Sequence, residues 1–133
     1  MLKRWILGKQ GDMVEGALTL PVMALLALAL VNLALAGFAA NTAQSAAAHG
    51  ARMAAVTQDN PAARGLSAAN EVVTHGVGTY SVNVAADTRP GGQVRVEVTW
   101  EVPNVFGGLL ALFGGSNEPL KGVAVAVQRK EGW

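Results

Sequence analysis

Hydrophobic and polar positions divide this chain into three regimes. Residues 16–51 pass 36 positions without an Asp, Glu, Lys or Arg, and residues 17–38 are dominated by Leu and Ala. A bilayer core of about 30 Å takes about 20 apolar residues in helical form, so residues 17–38 are long enough to cross one. Beyond Phe38 the polar residues Asn41, Thr42, Gln44, Ser45, His49 and Arg52 enter, while Ala43, Ala47, Ala51 and Ala55 recur every fourth position. That spacing places the four alanines on one face of a continuing helix. Small side chains there admit a close approach by another backbone, from the chain's own domain or from a neighbouring subunit. An unbroken helix from Glu15 to Ala55 would be about 60 Å long. Pro21 predicts a kink in it, and Gly50 is a weaker bending point.

The helical pattern stops after Thr57, at Gln58, Asp59, Asn60 and Pro61. Asn60 as cap and Pro61 in the first turn predict a second, shorter helix. Ala62, Leu66, Ala69 and Val73 form its apolar stripe, and Gly76 or Gly78 its stop. The remainder has period two. Tyr80, Val82, Val84 and Ala86 alternate with Ser81, Asn83 and Ala85. After a turn at Arg89, Pro90, Gly91 and Gly92, residues Val94, Val96, Val98, Trp100 and Val102 face one way. Arg95, Glu97, Thr99 and Glu101 face the other, as in a half-buried strand. Val123, Val125 and Val127 make a third strand of the same kind. The fold class is α+β: a long N-terminal transmembrane helix, a short second helix and a small three-stranded antiparallel sheet. The alanine-rich face of the long helix is the nearest cover for the sheet.

Charge orients this arrangement. Lys3, Arg4 and Lys9 precede the apolar stretch, and no further Lys or Arg occurs until Arg52. Basic residues stay on the cytoplasmic side, which predicts residues 1–15 inside, a span over 16–40 and an extracytoplasmic domain over 41–133. A cleaved signal sequence is the competing reading, with Ala34, Leu35 and Ala36 as its small-x-small site. Against it, the apolar stretch exceeds the roughly 7–15 residues of a signal core. The leading region is also long and carries Asp12 and Glu15. A net charge of +1 without clustered basic residues predicts no nucleic-acid partner. The chain has no cysteine, so an exported domain of this size must draw its stability from packing, its anchor or partner chains.

Candidate chemistry is sparse. Glu15 stands at the mouth of the span, where a carboxylate either has a partner or lies in the headgroup layer. His49 and His75 have no acid at ligand spacing, and no serine has a nucleophile-elbow context. Gly91, Gly92 and Gln93 read as a hairpin turn. The chain is predicted not to be an enzyme and to need no metal or cofactor. The apolar connection over residues 103–115 has three possible roles: a core segment, a protein contact or a dip into membrane. Its residues Phe106, Leu109, Leu110 and Phe113 are the candidate partner contact, since large exposed apolar patches are uncommon without one.

Val14, Glu15, Gly16, Ala17, Leu18, Thr19, Leu20 and Pro21, followed by the Leu/Ala span, resemble the N-terminal signature of TadE-like proteins. These are pilin-like components of the Tad (tight adherence) apparatus, which builds Flp-type, type IVc pili. Glu15, Ala17, Leu18, Leu20 and Pro21 match the family pattern, and Gly16 replaces its usual aromatic residue. The alternating strand ending at Trp100, Glu101, Val102 and Pro103, the Gly/Leu loop and the last strand are also similar. The resemblance implies a minor pilin or pseudopilin that works by helix packing. Its partners would be membrane lipid, sibling TadE/TadF-like or Flp pilins and the pilus assembly platform. Glu15 would pair with a cation on a neighbouring subunit within the membrane. A prepilin peptidase would cut after a Gly to leave the Glu as residue five. Here that register requires a cut after Gln10, while a cut after Gly11 leaves Glu15 fourth. Gln10 and Gly11 are the candidate processing positions, and an uncleaved anchored chain is an equal alternative. The runner-up function is a membrane-anchored envelope domain, unconnected with pili, that binds a peptide or polysaccharide. An anchored hydrolase ranks last.

Overall fold

The computed structural model describes residues 2–131, with side chains from Gly11 onward. Helix α1 (Leu2–Val56) is continuous through both Pro21 and Gly50. Its end at Val56 matches the break in the apolar pattern, and Thr57 closes it by donating its hydroxyl to the Met53 carbonyl. Helix α2 (Pro61–Val73) starts as its sequence predicts, with Pro61 in the first turn and the Asn60 side chain accepting from the Ala63 N–H. Asn60 itself takes a left-handed conformation, φ 51°, which Asn tolerates better than most residues.

The three strands are β1 (Thr79–Ala86), β2 (Gln93–Val102) and β3 (Leu120–Arg129), antiparallel in the order β1-β2-β3. Val82 lies opposite Val98 and Val84 opposite Val96. On the other side Val98 lies opposite Ala124 and Val96 opposite Ala126. The core is alanine against valine: Ala43, Ala46, Ala47, Ala51 and Ala54 of α1 pack on Val94, Val96 and Val98 of β2, with Ala69 of α2 and Ala124 of β3. The alanine face is thus occupied by the chain's own domain.

Three expectations from the sequence are corrected. The buried face of α2 is Pro61, Gly65, Ala68 and Ala69, rather than a stripe through Leu66, which is 40% exposed. The cause is a close crossing of α1 and α2 that only small residues fit. A Cβ on Gly50 would sit 2.8 Å from the Gly65 carbonyl oxygen, and one on Gly65 would sit 2.9 Å from the Ala54 Cβ. Gly50 is therefore a contact point between the two helices.

The second correction concerns β3. Its valines turn outward, with Val123 56% and Val127 50% exposed, while Gly122, Ala124 and Ala126 face the helix. Small residues are required on that face because α1 passes close above it and because the Trp100 indole occupies the space a Cβ on Gly122 would need. The third concerns the apolar connection. It is not an irregular loop but a short helix, α3 (Val105–Ala111), capped by Asn104.

Candidate membrane and assembly site

Every described side chain from residue 11 to residue 27 is exposed, so the lower part of α1 stands clear of the domain. Glu15, Pro21 and Gly11 all lie in this free section. An added Cβ at Gly11 would meet nothing within 4 Å. The side chains of Lys3, Arg4, Lys9 and Gln10 lie outside the described residues. Near Glu15, Thr19 donates its hydroxyl to the Glu15 carbonyl at 2.6 Å, a back-bond to the preceding turn of the kind that often bends a helix. Pro21 has no N–H to offer the turn before it, so the helix loses one bond there. The structure does not bring Glu15 or Pro21 together with the second candidate group, Phe106, Leu109, Leu110 and Phe113.

That second group sits on α3 and the turn after it. Phe106 is half-buried, Leu109 and Leu110 are partly exposed, and Phe113 is 86% exposed. What holds α3 was missed in the sequence. Asn32 is the one buried polar side chain among the described residues, 5% exposed. Its Oδ1 accepts the Val105 N–H at 2.9 Å, and its Nδ2 donates to Asn104 Oδ1 at 3.4 Å. Asn104 in turn accepts the Gly107 N–H at 2.7 Å and donates to the Glu118 carbonyl at 3.1 Å. Two asparagines thus fasten α3 to the long helix and to the approach of β3. A signal for this was available. Asn32 is the only polar side chain between Thr19 and Asn41, and a lone polar group in an apolar span usually has a partner.

Cover on α1 reaches one turn below Asn32, where Leu28 and Ala29 are half-buried. A groove of about 340 Å³ beside it is lined by Val31, Ala34, Leu35, Phe38 and Val77, all apolar. Elsewhere the polar groups serve local structure. His75 Nδ1 lies 3.0 Å from the Glu71 carbonyl at the end of α2, and the Gly92 N–H donates to the Arg89 carbonyl in the hairpin turn. Among the described residues no three His, Cys, Asp or Glu groups come together as a metal site would require.

The free lower helix bearing Glu15 and Pro21 and the alanine face above it form one continuous stretch, and this stretch is what the comparison recognises. Residues 13–52 match the model of the TadE-like protein family. The TadE-like segment begins two residues before Glu15 and ends at Arg52, so it takes in the apolar helix and most of the alanine face. The α2, sheet and α3 regions lie beyond it. No curated protein and no solved structure matches the chain significantly.

Proposed function

We propose that this chain is a TadE-like minor pilin or pseudopilin, acting in the assembly of Flp/type IVc pili or as a component of them. The observation that carries the reading is the coincidence of the TadE-like match with one helix that has two uses. Its upper half packs on the domain, while its lower half is apolar, exposed and free to embed in lipid or pack on sibling subunits. The helix is long and apolar enough to cross a membrane. The basic residues before the span favour an N-terminus inside and the domain outside. The work done is packing and not catalysis: TadE-like pilins are a structural family. Glu15 pairs with a cation on a neighbouring subunit, an arrangement favoured because a buried carboxylate needs compensation.

The test is deletion of the gene in its own host, with complementation, followed by electron microscopy of the cell surface and crosslinking of the full-length chain. Loss of pili, restored by the intact gene, with crosslinks to pilin-like subunits, is the expected result. Normal piliation in the deletion strain would overturn the proposal.

A further inference from the structure

We propose that α3 and the turn after it, residues 105–113, lie in the outer leaflet of the bilayer beside the span, so that two elements hold the protein in the membrane. The inference rests on the reading that α1 crosses that bilayer.

Depth is the first argument. Glu15 marks the inner boundary of the apolar stretch, and Asn32 lies about 25 Å further along the axis at 1.5 Å per residue. The hydrocarbon core is about 30 Å thick, so the docking point of α3 falls within it or at its outer edge. Leu28 and Ala29, one turn deeper, are also half-buried.

The chemistry of the docked segment fits that depth. No Asp, Glu, Lys or Arg occurs from residue 102 to residue 117. Leu112 is 79% and Phe113 86% exposed, with Leu110 and Val105 also open. Val77, in the other turn at this end of the sheet, borders the apolar groove with Val31, Leu35 and Phe38. The opposite end of the sheet carries Asp87, Arg89, Arg129 and Lys130. The α3 end also carries the exposed Glu101, Glu118 and Lys121 at the bordering strand ends, so the charge-free part of this end is the segment from residue 102 to residue 117.

The backbone N–H groups at the two ends of α3 are compatible with that placement. A segment in lipid must pair its own N–H and C=O groups, because no water is present to do so. The start of α3 is served by Asn32 and Asn104, which accept the Val105 and Gly107 N–H groups. At its end the N–H groups of Leu112, Phe113, Gly114 and Gly115 donate back to the carbonyls of Leu109, Leu110 and Ala111.

The chain contains no cysteine, so single labelling sites can be introduced cleanly. The full-length chain carrying Leu112→Cys, Phe113→Cys, Leu26→Cys or Ala85→Cys is labelled with an environment-sensitive fluorophore. Each is reconstituted in phosphatidylcholine/phosphatidylglycerol vesicles with nitroxides at shallow or deep acyl positions. The expected result is blue-shifted emission at positions 112 and 113, quenched most by the shallow nitroxide. Position 26 should be quenched most by the deep one, and position 85 by neither. Water-like emission at 112 and 113 with position 26 quenched would overturn the inference while leaving the span intact. Blue-shifted emission at 112 without lipid quenching would mean a protein contact and would overturn it as well. Loss of quenching at position 26 would remove the span itself, and the inference with it.

Discussion

The Oδ1 of Asn32 accepts the backbone N–H of Val105 at 2.9 Å, joining the apolar half of α1 to a helix 73 residues later in the chain. Together with the bond from Asn32 Nδ2 to Asn104 Oδ1 at 3.4 Å, it ties the start of α3 to the long helix. Without the Asn32 side chain both of these ties to the long helix are lost, and the remaining one, from Asn104 to the Glu118 carbonyl, leads to the sheet side.

Asn32→Leu should therefore detach α3 while leaving the sheet folded. The Val105 N–H would lose its acceptor, at a cost of about 1–3 kcal/mol if the site stays dry. Hydrogen exchange of the detergent-solubilised chain checks this. The Val105 amide should exchange faster by at least tenfold, while Val96 and Val98 in the central strand keep their protection. Asn104→Ala should loosen the same helix through the lost cap, worth about 1 kcal/mol.

Gly65→Val should destabilise the domain by about 1–3 kcal/mol, the usual cost of overpacking. Its Cβ would press on the Ala54 Cβ at 2.9 Å and the Gly50 carbonyl at 3.1 Å, and a backbone carbonyl cannot step aside as a flexible side chain can. The helix-propensity gain on leaving Gly is less than about 1 kcal/mol and does not compensate. Gly37→Ala is the control, since its Cβ would meet nothing within 4 Å. Thermal melts should show a lower midpoint for the first and an unchanged or higher one for the second.

The outward valines of β3 make a sharper test of the sheet. Val125→Thr should change stability by no more than about 0.5 kcal/mol, as surface substitutions do. Val96→Thr, one strand away, buries a hydroxyl among Ala and Val side chains and should cost about 1–3 kcal/mol. Equal effects at the two positions would mean that β3 presents its valines inward.

Glu15→Ala should leave the protein inserted and folded but unable to support pili. Glu15→Asp should keep part of the function, because the charge survives while its reach shortens. Piliation and membrane fractionation measured together separate the two. Wild-type piliation in the alanine variant would make Glu15 an ordinary headgroup-layer residue.

The elements other than α3 were legible in the sequence because each rests on local rules. The charge-free stretch, the alanines every four residues, Asn60 before Pro61 and the valine alternation of β2 all specify helix, cap or strand without reference to anything distant. The TadE-like signature around Glu15 and Pro21 was legible for the same reason. Which face of an element is covered is a different question. Period two shows that Val123, Val125 and Val127 share a face, but it cannot say that a helix lies over Ala124 and Ala126 instead. Likewise the apolar residues of α2 suggested Leu66, whereas the closeness of Gly50 to Gly65 selected the small residues. The bond between Asn32 and Val105 lies furthest from reach. Its two ends are far apart in sequence, and only the docking of α3 on α1 brings a buried amide and an unpaired N–H to hydrogen-bonding distance.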